Sequence, residues 1–276
     1  MLGNTFRHLL GIGPSSEVSL WQAGLHTWED FLAAKSTPLG PARTGLVRQG
    51  LEESLAARER RDADWFAARL RGADTWRLMP HFLSGAGYLD IETDGQRWPT
   101  ITSIALYHGG VVRVYVHGEN LEDFIQDVRA VEVLVSFNGK CFDAPILERF
   151  LGAKLPKAHV DMRHVLAKLG RTGGLKACEK AYGLDRCGLS GLDGWSAVLL
   201  WRLWQETRDR RVLDTMLAYN VADVLSLEVL LAMAVDELLL DTPFAARHTL
   251  PIPALGENPF EPDPEVVARV AGFQVI

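Results

Sequence analysis

A chain of 276 residues with 47% hydrophobic and 23% charged residues is long enough for one large domain, or a large domain with a small companion, around a real core. Its net charge of −6 argues against a strongly basic nucleic-acid coat, and no segment approaches the roughly 20 apolar residues of a membrane span. The N-terminus lacks the features of a secretory signal, and Cys141, Cys178 and Cys187 form no Cys-x-x-Cys pair, so a reduced, cytoplasmic protein without membrane contact is expected. Residues 1–80 carry 10 Lys+Arg against 9 Asp+Glu, whereas residues 81–276 carry 19 against 26. That mild asymmetry permits nucleic-acid binding without demanding it.

In chain order, Thr5–Leu10 can form a short helix and Leu10-Gly11-Ile12-Gly13 a tight hairpin. Ser15 or Ser16 can cap a second helix running to Gly24, with Leu20 and Trp21 inward, and Leu25–Leu32 reads as a third. Pro38–Gly45 marks a connector, and residues 46–71 read as one long Arg- and Glu-rich helix. Its Arg58, Arg60, Arg61, Arg69 and Arg71 could face phosphates, although a salt-bridged solvated face is the commoner use of such mixing. The expected division is a small all-α module over 1–35, a connector and helix over 36–80, a main domain over 81–240, and a proline-rich tail over 241–276.

The main domain opens on Tyr88-Leu89-Asp90-Ile91-Glu92-Thr93-Asp94-Gly95, a strand ending in a turn. Strand geometry puts Asp90 and Glu92 on one face, where their like charges repel and burial makes the repulsion worse. A hard cation such as Mg²⁺ or Mn²⁺ resolves that conflict. Ile101–Tyr107 and Val111–Val116 flank His108-Gly109-Gly110 as a hairpin, Asn120–Arg129 is helical, and the apolar run Val131–Phe137 is a buried strand. A short strand at His159–Met162 follows. Helices are expected at Ala144–Leu151, Arg163–Leu169, Leu175–Tyr182 and Trp195–Glu206, with two more from Arg208 to Leu239. The class is α/β, a mixed sheet flanked by helices.

Further acids stand where they could join the first two. Asp143 follows Phe137-Asn138-Gly139-Lys140 past a buried strand, and could alone be a helix cap. Tyr219 and Asp223 lie at i,i+4 on one helix face among apolar residues, where a buried acid needs a partner; a surface acid on an amphipathic helix is the plainer reading. Asp161 fits either a supporting role or a helix cap, Asp94 and Asp193 are possible substrate-side acids, and Cys141 reads as a packing residue.

Together these segments resemble the DEDD (DnaQ-like) 3′–5′ exonuclease superfamily over roughly residues 84–240. Asp90 and Glu92 match its first motif, Asp143 its second, and Tyr219 with Asp223 the tyrosine version of its third. The Phe-Asn-Gly-Lys wording also occurs in proofreading domains of family-B DNA polymerases. The closer likeness is to predicted bacterial ribonuclease H-like exonucleases, which share Gly174-Leu175-Lys176 and Leu189–Gly194 and often carry His where Tyr219 stands. The Gly11-Ile12-Gly13 hairpin resembles the helix-hairpin-helix family, in which backbone N–H groups hold a phosphate; a simple helical packing module is the alternative.

The resemblance implies a ribonuclease H-like sheet and two ions, Mg²⁺ or Mn²⁺, held by Asp90, Glu92, Asp143 and Asp223. Asp90 would bridge both ions, Glu92 and Asp223 would hold the one activating water, and Asp143 the one near the leaving 3′ oxygen. Tyr219 would orient the water, and Asn138 would position the substrate or the loop carrying Asp143. The implied reaction is release of nucleoside 5′-monophosphates from single-stranded DNA or RNA 3′ ends, with Gly11 and Gly13 contacting substrate phosphates. A structure-specific endonuclease, a proofreading subunit and a non-catalytic nucleic-acid binding module are the alternatives.

Overall fold

The computed structural model describes residues 1–152, 154–156, 158–186 and 188–272; Cys187 lies outside them. Five strands form one mixed sheet in the order β3-β2-β1-β4-β5: β1 Ala86–Thr93, β2 Ile101–His108, β3 Val111–Val116, β4 Val133–Ser136 and β5 His159–Asp161. β1 to β3 form an antiparallel meander, while β4 and β5 run parallel to β1. The Gly109-Gly110 turn joins β2 and β3, with both glycines at positive φ, the twist that suits a tight hairpin. Parallel pairing sets Val135 of β4 beside Tyr88 of β1, so the chain leaving β4 runs alongside the half of β1 that carries Asp90 and Glu92.

Before the sheet come α1 Pro14–Gln22, α2 Trp28–Ala33, α3 Pro41–Glu59, α4 Ala63–Ala67 and α5 Met79–Phe82. α6 Phe124–Asp127 with flanking 3₁₀ turns links β3 to β4, α7 Asp143–Leu151 links β4 to β5, and α8 Met162–Lys168 leaves β5. α9 Leu175–Ala181, α10 Gly194–Thr207, α11 Arg210–Leu239, α12 Ala245–His248 and α13 Pro264–Gly272 complete the described residues. One sheet face carries Tyr88, Ala105, Val133 and Val135 against α11, and the other carries Leu89, Ile91, Ile104 and Leu106 against Phe124 and Leu147. With both faces covered, the strands read as near-continuous apolar runs.

Several expectations are corrected. Thr5–Leu10 is irregular and turn rather than helix, with only a short 3₁₀ turn, Leu2–Asn4, before it, so the Gly11 segment has an α-helix on one side only. α1 starts at Pro14 with Gly13 as its cap, not at Ser15 or Ser16, because proline's fixed φ suits the first helical position. The long helix over 46–71 is two, α3 and α4: Arg61 takes a left-handed φ of 52° and Asp62 caps the new start by accepting from the Trp65 N–H at 2.9 Å. Three of its arginines are engaged by protein: Arg58 with Glu29 at 2.8 Å, Arg61 with Glu132 at 2.7 Å, Arg69 over the Trp65 ring at 3.8 Å.

The two helices expected from Arg208 to Leu239 are a single one of 30 residues, free of Gly and Pro. It is long and apolar enough to cross a membrane, contrary to the reading of the sequence, but 83% of its most apolar stretch is buried inside the protein. α11 is therefore the central helix of the fold. The tail packs along it: Asn258 Nδ2 donates to the Ala218 carbonyl at 2.7 Å, the Asp263 N–H donates to Thr215 Oγ1 at 2.9 Å, and Val266 and Val270 join the core between α10 and α11.

Candidate metal centre

The register of the sheet builds the site. Asp90 stands opposite Ala105 and Glu92 opposite Ser103, on the face that α11 crosses. From α11, Asp223 reaches the same place, and carboxylate oxygens of Asp90, Glu92 and Asp223 lie within 4.8 Å of one another. Glu92 and Asp223 are buried, at 8% and 7% exposure, and Asp90 is half-buried. At that spacing two full charges repel by about 3 kcal/mol in a protein-like dielectric, so the group cannot be fully ionised without compensation.

Asp143, the first residue of α7, is buried and lies outside the 4.8 Å group, yet bears on its charge. Its loop is bent for the purpose. Asn138 adopts a φ of 64°, and a Cβ on Gly139 would meet Ser136 Oγ at 2.1 Å and Asp143 Oδ2 at 2.7 Å. Asp161, wholly buried, holds this loop by accepting from the Asn138 N–H at 2.8 Å and the Lys140 N–H at 3.3 Å while it caps α8 through the Arg163 N–H at 3.1 Å. The two roles weighed for Asp161 are thus combined in one carboxylate.

Electrostatics follow from this crowding. Burial and the charges of Asp223, Glu92 and Asp143 push Asp90 well above the usual carboxylate range, against one opposing hydrogen bond from Asn220. Burial, Asp223 and Asp143 do the same to Glu92. Asp143 is pushed up to about 8 by burial, Asp161 and Asp223. Asp223 rises to about 6: burial lifts it, Arg186 pulls it back and Glu179 adds to the rise. Tyr219, one turn before Asp223, is buried and has its phenol raised by burial, Asp223 and Glu92, so it stays protonated.

Three supporting residues escaped the sequence reading. Asn220, fully buried beside Tyr219, donates from Nδ2 to Asp90 Oδ2 at 2.7 Å and accepts from Ser103 Oγ at 3.0 Å, which fixes Asp90 from the helix. Arg186 grips Glu179 with two N–H groups at 2.5 and 2.8 Å and presents its remaining Nη1 to Asp223 Oδ1 as an ion pair. Lys176 Nζ lies 4.9 Å and the Arg186 guanidinium 5.5 Å from the Tyr219 ring centre. The Gly174-Leu175-Lys176 run could have pointed to Lys176; nothing in the residues around Arg186 marks it.

Other candidates are elsewhere occupied. Asp94 Oδ1 closes its turn by accepting from the Gln96 and Thr100 N–H groups at 3.1 Å each, and Asp193 caps α10 in a reciprocal box with Ser196. Asn138 borders the site, where its Oδ1 accepts from Arg163 Nη1 at 2.7 Å. Gly11 and Gly13 lie in the N-terminal segment, where the Gly11 carbonyl accepts from Arg43 Nη2 at 2.6 Å. Cys141, expected to be a packing residue, is exposed.

An all-oxygen donor set and mutual repulsion at close range, only partly offset by the Arg186 ion pair to Asp223, fit a hard divalent cation. An α/β sheet that gathers strand-borne and helix-borne carboxylates at one point defines an acid-centred candidate metal site. The RNase_H superfamily model matches residues 87–235, more than half of the chain, and the chain belongs to that superfamily. A comparison with curated proteins finds no match. Among solved structures the chain is similar to the family B DNA polymerase from the hyperthermophilic archaeon Pyrobaculum calidifontis, at 17% identity and a TM-score of 0.43, over 66% of this chain and 27% of that one. The chain thus spans about a quarter of that polymerase.

Proposed function

We propose that the protein is a metal-dependent 3′–5′ exonuclease of the DEDD type, hydrolysing phosphodiester bonds in DNA or RNA to release nucleoside 5′-monophosphates. The observation that carries this reading is the buried convergence of Asp90, Glu92 and Asp223, with Asp143 beside them, in a chain of the RNase H superfamily. Those four carboxylates would hold two Mg²⁺ or Mn²⁺ ions. Bound there, such ions supply a hydroxide-like water and neutralise the charge that grows on the phosphorus oxygens and the leaving 3′ oxygen.

The chain's own residues contribute the rest. Asn220 fixes the rotamer of Asp90, and Asp161 fixes the loop that delivers Asp143. Tyr219, kept protonated, can exchange one hydrogen bond with an attacking water and so set its direction. Arg186 and Lys176 lower the electrostatic cost of gathering four acids and an incoming phosphodiester in one place. α11 and the sheet wall the acids off from bulk solvent, which strengthens each interaction.

A time course on 5′-labelled single strands of DNA and RNA with Mg²⁺, Mn²⁺ or EDTA tests the reading. A ladder shortening from the 3′ end, dependent on metal and abolished in Asp90→Ala and Asp223→Ala, is expected. Cleavage of a circular strand would make it an endonuclease, and absence of any cleavage would refute the enzyme.

A further inference from the structure

Beside the acids lies a cavity of about 660 Å³ whose lining includes Phe137, Asn138, Arg163, Arg171, Gly173 and Gly174. No Asp or Glu lines it, whereas the neighbouring site is built from acids. Both of its walls lead into that site. On one side Asn138 belongs to the Asp161-held loop, where a Cβ on Gly139 would meet Asp143 Oδ2. On the other, the turn through Gly174 continues into Lys176, whose ammonium faces Tyr219. Arg163 is exposed and its guanidinium bonds to the neutral Asn138 side chain; among the described residues no carboxylate pairs with it. Arg171 lines the groove with its guanidinium held in place, tied at 2.9 Å to Glu237 and lying over the Tyr182 ring at 4.4 Å.

A groove with two guanidinium groups, an aromatic ring and a lip of glycines is suited to a phosphodiester backbone. Arginine pairs with phosphate oxygens, an aromatic face stacks on a base of any identity, and residues without side chains let the backbone come close. We infer that this groove is the track of the nucleic-acid strand entering the acid centre, with phosphates upstream of the reacting bond on Arg163 and Arg171 and a base against Phe137. The inference rests on the nuclease reading and goes further by naming the residues that hold the strand and the side from which it arrives.

Binding and chemistry separate the two claims. Fluorescence anisotropy of 5′-fluorescein octanucleotides, DNA and RNA, is measured in EDTA across a salt series with wild type, Arg163→Met, Arg163→Lys and Gly174→Asp. Removing one phosphate-binding guanidinium should lower the slope of log affinity against log salt by about 0.7 on a single strand and weaken low-salt binding by roughly 3- to 10-fold. Arg163→Lys should restore the slope. Gly174 has φ −80°, caps α9 and has open space where its Cβ would stand, so Gly174→Asp should fold at least as stably as wild type while repelling the strand. Affinity and slope unchanged in both Arg163→Met and Gly174→Asp would overturn the groove. Hydrolysis of thymidine 5′-(p-nitrophenyl phosphate) by wild type with Mn²⁺, a substrate too short to reach the groove, tests the acid centre by itself.

Discussion

Asp143→Asn should stabilise the metal-free protein at neutral pH while removing its activity. Asp143 is buried, and its carboxyl is pushed up to about 8 from an ordinary 3.8, chiefly by burial and then by Asp161 and Asp223. A group whose folded pKa is raised leaves stability intact below the unfolded value, and stability is lost as pH rises towards the folded value. Between pH 4 and 7 that loss amounts to at most about 4 kcal/mol at 1.36 kcal/mol per pH unit. Asp90, Glu92 and Asp223 share the same repulsion, so a realised gain of about 1–4 kcal/mol is expected for the amide, or several degrees in Tm for a chain of this size. Thermal unfolding in EDTA at pH 5 and pH 8 reads it: the gain should be large at pH 8 and small at pH 5. With Mn²⁺ added, the order should reverse, because wild type alone keeps the full ligand set. An Asp143→Asn variant no more stable than wild type in EDTA at pH 8, or one stabilised equally at both pH values, would refute the reasoning.

Asn220→Ala removes the hydrogen bond that orients Asp90 and leaves Ser103 without its acceptor, so Mn²⁺ affinity, read by titration calorimetry, should fall about 10- to 100-fold, as for other residues that orient metal ligands. Arg186→Met leaves Glu179 and Asp223 buried without their cation and should cost roughly 3–5 kcal/mol in urea unfolding, part of it recovered by adding Glu179→Gln. His8 is buried against Ser54 Oγ at 2.8 Å and held down to about 3 by burial and Arg69, so it folds neutral. Its contribution is complete above pH 6.5 and is lost as pH falls towards 3. His8→Gln should therefore flatten part of the acid limb of stability, and an acid limb identical to wild type would show that His8 titrates freely.

The N-terminal 35 residues are bonded firmly to the rest of the protein. Trp28 donates its indole N–H to the Thr5 carbonyl at 2.7 Å, and Trp21 donates to the Asn4 carbonyl at 2.9 Å. Glu17 accepts from Thr5 Oγ1 and the Phe6 N–H and pairs with Arg77 at 3.0 Å, while Arg7 pairs with Asp74 at 2.8 Å. Phe6, Trp28 and Phe31 share one apolar cluster with Phe66, Val133 and Leu230. Through these contacts the segment supports the core that carries the sheet with Asp90 and Glu92.

What could be read from residues alone divides by range. The strands, the hairpin and most helices were legible because their signals are local: alternation in Ile101–Tyr107, the Gly109-Gly110 turn, the apolar run at Val133. Asp90 and Glu92 were legible as a pair because strand period alone puts them on one face, and Asp143 and Asp223 because their surroundings match a known pattern. The length of α11 was not, since Asp214 and Asn220 interrupt its apolar pattern and only packing on the sheet shows that the helix runs through. The same limit hid Arg186, whose role depends on Glu179 seven residues earlier and Asp223 thirty-seven later. It also hid Asn220, whose amide joins β1 to β2 from α11. Residues that supply charge to a site often sit in motifs, but residues that aim those charges are chosen by the packing of distant elements. The supporting shell of the acids therefore had to come from the structure.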